Sequence, residues 1–143
     1  MMFEYPVEIA RDDDGSYLVT FPDVPEAVTF GETEADALAR AVDALETALM
    51  GYMADWRPLP PASAANGRPT VMPDLLSTLK LAVYAAMRER DWRKADLARA
   101  MALNPRQIDR LLDLRHASTV AQLDQALRLC GRRVVMETAA VAA

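Results

Sequence analysis

"GSYLVTFPDVPEAVTFGETEADALARAVDALETAL", residues 15–49, changes its hydrophobic period partway along, from alternation to a helical repeat. Tyr17, Val19 and Phe21 alternate with other side chains in the manner of a half-buried strand. Pro22 and Pro25 cannot donate to a sheet ladder, so "PDVPE" reads as a bend leaving the sheet, and "AVTF" supplies a further strand through Val28 and Phe30. Leu38, Val42, Leu45, Leu49 and Met53 then recur at three- or four-residue steps, predicting a helix that opens on a capping box of Thr33 and Asp36. One face of that helix must bury against the sheet.

Working outward, "MMFEYPVEIA" sets Phe3, Tyr5, Val7 and Ile9 in alternation, which predicts a strand preceding Tyr17. Between the two strands "RDDDG" reads as a hairpin turn, because Gly15 takes positive φ without steric cost and aspartate tolerates tight turns. Pro58, Pro60 and Pro61 end the helix. "PASAANGRPT" then suits either an exposed linker or a connection holding one short edge strand at "TVM". Beyond it every segment is helical in pattern: Leu75, Leu76, Leu79, Val83 and Met87 form one apolar stripe, and "RKADLARAMAL", "NPRQIDRLLDL" and "TVAQLDQALRLCG" are three shorter amphipathic helices. The expected class is α+β, with a sheet-and-helix domain over residues 1–72 and an all-α domain over residues 73–143.

The chain of 143 residues carries a net charge of -5, but the charge is unevenly divided. Residues 1–70 hold 13 acids and 4 bases, net -9, whereas residues 71–143 hold 12 bases and 8 acids, net +4. A basic half suits phosphates and an acidic half suits a basic surface, so the two are expected to have different partners. Cys130 is the sole cysteine, which excludes an intramolecular disulfide, and the acidic N-terminus lacks the pattern of a signal peptide. No apolar stretch approaches the length of a membrane span, so the expectation is a cytoplasmic protein with no membrane partner.

In "RKADLARAMALNPRQIDRLL", residues 93–112, Leu97, Ala98 and Met101 face inward from one helix and Ile108, Leu111 and Leu112 from the next. Ala102 and Leu103 form the turn, with Ala102 where glycine is common; Asn104 caps the second helix and Pro105 takes its first position. This is a helix-turn-helix pattern. It leaves Arg106, Gln107 and Arg110 outward to reach base edges, with Arg93 and Lys94 placed to neutralise phosphates and Asn104 at the helix start. The bland alternative is a four-helix scaffold with a solvated basic face. Since a single such unit typically works in pairs, a homodimer or tetramer is expected, with Val134 and Met136 on one side of a short terminal strand that pairs with a second copy.

Catalytic chemistry is poorly supplied. His116 is the only histidine, so a His/Cys metal cage is not available, and His116 reads as a turn or packing residue. No glycine-rich phosphate loop is present, and no cofactor is expected. Asp12, Asp13, Asp14 and Asp23 could in principle hold a divalent metal, but three adjacent aspartates in one turn diverge and are more often simply solvated.

The order "YPVEI", "GSYLVTFPDVPEAVTFGET", "ADALARAVDALETAL", a proline-rich connection and "DLRHASTVAQLDQALRLCGRRV" resembles the HicB antitoxins over nearly the whole chain. The resemblance implies a truncated RNase H-like β-β-β-α-β domain without the nuclease's catalytic set, joined here to a helix-turn-helix. It implies a partner too, a small basic HicA-type ribonuclease toxin, and repression of the shared operon through operator double-stranded DNA. On that reading Asp12, Asp13, Asp14, Tyr17, Phe21, Pro22, Asp23 and Pro25 form the toxin-facing surface. Two rivals stay open: a helix-turn-helix regulator whose first unit senses a small ligand, and a metal-dependent nuclease.

Overall fold

The computed structural model describes residues 1–141. The first apolar run breaks beside Pro6, which has no N–H to give a ladder, into β1, Tyr5–Pro6, and β2, Glu8–Arg11. β2 pairs antiparallel with β3, Tyr17–Thr20, and β3 pairs antiparallel with β4, Val28–Gly31. The hairpin turn closes as its residues predict: the Asp12 N–H donates to the Ser16 carbonyl at 2.7 Å, and Gly15 takes φ +86°.

α1, Glu34–Ala54, begins where Thr33 Oγ1 accepts the Asp36 N–H at 3.0 Å. The Asp36 carboxylate reaches back to the Glu32 N–H at 3.2 Å, one residue earlier than a capping box would place it. Ala37, Ala41, Leu45, Leu49 and Tyr52 form the buried face of α1, while Leu38, Val42 and Met53 flank it half-buried. Small Gly31 allows this approach, since a Cβ there would lie 2.5 Å from the Ala37 nitrogen. α1 ends before the prolines are reached, because Trp56 turns the chain with φ +53°.

The connection is laid along the first unit. It supplies β5, Thr70–Val71, antiparallel to β1, and the Val7 N–H donates to the Pro69 carbonyl at 2.9 Å. Leu59 and Ala62 pack on the same core as Tyr5, Val19, Phe21 and Val24. The Tyr5 hydroxyl donates to the Pro60 carbonyl at 2.7 Å. Burial, aided by the negative fields of Asp23 and Tyr52, pushes that phenol up to about 12.

Four helices follow: α2, Leu75–Glu89; α3, Lys94–Met101; α4, Pro105–Leu112; and α5, Val120–Leu129. Leu79, Val83 and Met87 are buried as expected, but Leu75 is not part of the stripe: it sits at the first position of α2 and is 62% exposed. Leu97, Met101, Ile108, Leu111, Leu123 and Leu127 close the helical core. Cys130 is buried there too, and burial raises its thiol pKa. Ala102 ends α3 at φ +54°, ψ +42°, a left-handed conformation that costs an alanine about 1 kcal/mol relative to glycine.

The two apolar clusters touch. Leu81 and Leu114, from the helical half, belong to the sheet-side core, while Met53, Trp56 and Leu59 pack against the helical one. The Tyr84 hydroxyl donates to the Arg57 carbonyl at 2.5 Å, and Trp56 meets the Tyr84 ring edge-on at 5.0 Å. The expected terminal strand at Val134 and Met136 does not form in the single chain: residues 133–141 belong to no element, and Val134, Val135 and Met136 are exposed. That strand is expected to pair with a second copy, and the single chain does not contain that partner.

Candidate functional site

Two charged surfaces lie on the two halves, and each is best described by which of its side chains are already committed. On the helical half, Arg106, Gln107 and Arg110 lie exposed on the outer side of α4. Among the described residues neither Arg106 nor Arg110 makes an ion pair, so both guanidinium groups are available to an anion. Gln107 is less free. Its Oε1 accepts the Asn104 N–H at 2.9 Å while Asn104 Oδ1 accepts the Gln107 N–H at 2.9 Å, so the pair cap α4 reciprocally.

Lys94 and Arg93, expected to hold phosphates, are also partly engaged. Lys94 Nζ lies 2.8 Å from Asp109 Oδ1, tying α3 to α4. The Arg93 guanidinium stands 5.3 Å from the Trp56 ring centroid, and its backbone N–H donates to Asp96 at 2.8 Å. Beside Arg110, a polar hollow of about 140 Å³ is lined by Gln107, His116, Ser118 and Gln122. His116 is exposed in the turn after α4, its N–H bonded to the Asp113 carbonyl at 3.1 Å.

Lys80 is the residue that pattern reading passed over. It is fully buried on α2, and its Nζ donates to the Arg110 carbonyl at 2.9 Å, the Asp113 carbonyl at 2.8 Å and Ser118 Oγ at 2.8 Å. A cation therefore caps the C-terminal end of α4, where the helix dipole favours it. Burial lowers its pKa, with Asp113 opposing. The signal was present in "LSTLKLAV": Lys80 lies one helical turn from both Leu76 and Tyr84.

On the sheet half, the acids do not converge. Asp12, Asp13 and Asp14 are exposed at the hairpin turn, and Asp14 Oδ1 accepts both the N–H and hydroxyl of Ser16, which lowers its pKa. Asp23 lies beyond the other end of β3, a strand of four residues that spans about 13 Å. Its carboxylate is occupied by Ser63, through the N–H at 2.9 Å and the hydroxyl at 2.6 Å. Pro22 and Pro25 are exposed on the bend and Tyr17 is half-buried, with the Arg11 guanidinium 5.8 Å from its ring. Phe21 corrects the expected binding surface: it is 1% exposed and packs in the core, out of any partner's reach. Among the described residues, no group of three His, Cys, Asp or Glu side chains is arranged to hold a metal ion, and no helix is long and apolar enough to cross a membrane.

A feature absent from the sequence reading joins the halves. Arg115, just beyond α4, reaches α1: its guanidinium lies 2.9 Å from Asp43, 2.9 Å from Thr47 Oγ1 and 3.5 Å from Glu46. Buried Glu46 also accepts the Asp74 N–H at 2.9 Å, at the cap of α2. Nothing in local spacing brings Arg115 to Asp43, because the contact is made by the docking of the two units.

Fold and surfaces together define a small α+β protein that carries an acidic sheet-and-helix unit and a basic-faced helical unit held against one another. A family model described as "HicB_like antitoxin of bacterial toxin-antitoxin system" matches residues 4–82, more than half of the chain. The chain is 33% identical over 142 residues to Antitoxin HicB of Pseudomonas fluorescens (strain Pf0-1), covering 98% of this chain and 97% of that protein. It is 34% identical over 130 residues to Antitoxin HicB 2 of Photorhabdus laumondii subsp. laumondii, covering 91% and 92%. Antitoxin HicB of Escherichia coli (strain K12) is 33% identical over 131 residues, covering 91% and 95%. The chain belongs to the HicB-like antitoxin family, and membership implies a toxin partner.

Proposed function

We propose that the sheet-and-helix unit inhibits a small basic ribonuclease toxin of HicA type, and that α3 and α4 act as a helix-turn-helix through which a dimer or tetramer represses its own operon. The separation of charge carries this reading: net -9 over residues 1–70, against free Arg106 and Arg110 on the outer side of α4. The strands flanked by α1 support a truncated RNase H-like reading, and the diverging acids speak for binding rather than metal-assisted cleavage. The protein would then act in the cytoplasm, as an inhibitor and repressor without catalysis of its own.

Co-expression with the neighbouring reading frame tests both halves. The expected result is a stable complex in which RNA cleavage by the toxin is suppressed. Arg106→Ala and Arg110→Ala are each expected to cost about 1–3 kcal/mol on operator DNA and much less on random DNA, since a guanidinium fork reads base edges. Equal losses on both DNAs would assign these arginines to phosphates instead. A regulator that senses a small ligand would give no co-purifying toxin and a ligand-dependent change in operator affinity.

A further inference from the structure

We propose that the free edge of β4, together with the flank of α1 beside it, receives an extended basic segment of the toxin as an added strand. This rests on the antitoxin reading above and specifies where on the sheet unit the partner lies. Among the described residues β4 pairs with β3 only, so its other edge offers unpaired backbone N–H and C=O groups. Edges left bare are usually protected by a proline, a lysine or a covering loop; Val28–Gly31 contains neither residue.

Both sides of that edge are prepared for alternating side chains. On the outer side Phe30 is 61% and Val28 51% exposed, and the register continues this surface across Leu18 and Thr20. On the inner side a groove of about 720 Å³ runs between β4 and α1, and Ala44, Ala48 and Gly51 leave room at its α1 wall. A strand added about 4.8 Å from β4 would direct one set of side chains toward Phe30 and the other into this groove.

Charge selects the occupant. Glu26 and Glu32 bracket β4, so antiparallel pairing with a second copy would set acids beside acids at both ends of the junction. A basic strand meets the same ends with attraction. Arg40 and Arg57 also line the groove, the first paired with Asp36 and the second lying over the Tyr52 ring, while Asp55 in the same lining and Glu32 make no ion pair among the described residues, so both carboxylates can receive a cation.

The test uses the full chain and the toxin encoded beside it. In wild type, amide exchange at residues 28–31 should slow at least tenfold on complex formation. Ala48→Gln, which fills the groove, and Phe30→Asn should each weaken toxin binding tenfold or more. Leu75→Asn, equally exposed but on α2, should bind as wild type does, and operator binding by all three variants reports that they are folded. A wild-type complex whose β4 amides exchange as in the free chain would overturn the edge assignment and leave the antitoxin reading intact. Concentration-dependent protection of β4 without toxin would overturn it in favour of self-association. Failure of the wild-type chain to bind the toxin at all would remove the antitoxin reading, and this inference with it.

Discussion

Among the described residues each half of the molecule buries one charged side chain, and the two are satisfied by different means. Glu46 on α1 is 3% exposed and meets a backbone N–H and a guanidinium. Lys80 on α2 is fully buried and meets two carbonyls and a hydroxyl, with no carboxylate in ion-pair contact among the described residues. Both converge on the same stretch: Lys80 on residues 110–118, and Glu46 on Arg115 within it. The end of α4 is thus fixed from both units at once, by helix-end dipoles on one side and by an ion pair on the other. Its pose belongs to the whole chain rather than to the helical half alone.

The comparison predicts unequal costs. Lys80→Ala removes the shared donor of the Arg110 and Asp113 carbonyls and of Ser118 Oγ and opens a void in place of a fully buried side chain, and is expected to destabilise by about 2–4 kcal/mol. Glu46→Gln keeps an oxygen for the Asp74 N–H and loses only its charge toward a partly exposed arginine, so about 1 kcal/mol is expected. Chemical denaturation of the two variants measures both. Equal losses would mean that the α4 end is anchored as firmly from α1 as from α2.

Tyr5 and Lys80 respond to alkaline pH with opposite signs. Tyr5 ionises near 10 when unfolded but holds its proton to about 12 when folded, so its contribution is complete below pH 10 and is lost as pH rises through 12. The full loss is about 2–3 kcal/mol. Lys80 runs the other way. Its folded pKa is lowered, the folded chain binds fewer protons below the ordinary lysine value, and its contribution therefore improves as pH rises toward that value. Tyr5→Phe is expected to flatten the decline of stability between pH 10 and 12 in denaturation series. A decline unchanged in Tyr5→Phe would place its origin in another group.

What the sequence made legible is what local chemistry decides. Gly15, Thr33 and Asn104 act within their own turns or caps, and the period change between Phe21 and Leu38 marks strand from helix without any tertiary knowledge. Alternation also identified β4, but it could not say that Val28 and Phe30 face away from α1, because one face of an edge strand reads like the other. Phe21 shows the same ambiguity: a residue beside an exposed bend can still point into the core. Spacing puts Asn104 at the cap and Gln107 in the first turn of α4, but the reciprocal bonds that set their capping against base contact follow from side-chain geometry. Lys80 and Arg115 depend on residues about thirty to seventy positions away, and such pairings are fixed by docking rather than by spacing.

Arg115 gives the smallest stability effect and the sharpest use of the comparison. Its guanidinium is 45% exposed and Asp43 is 74% exposed, so water screens the pair and Arg115→Ala is expected to cost about 0.5–1 kcal/mol. Yet Asp43 and Thr47, which hold Arg115, also line the groove beside β4. A basic partner seated in that groove would compete for Asp43 and loosen Arg115, which reaches from the loop behind α4 to α1. Toxin occupancy and operator affinity should therefore be coupled, and the factor by which each changes the other must be the same in both directions. Operator titrations of wild type and Arg115→Ala, each with and without toxin, read that factor directly: Arg115→Ala should bring it close to one while leaving the separate affinities within a few fold. If the factor is unchanged, the coupling runs instead through the apolar contact that Leu81 and Leu114 make with the sheet-side core, and Leu114→Ala, rather than Arg115→Ala, should abolish it.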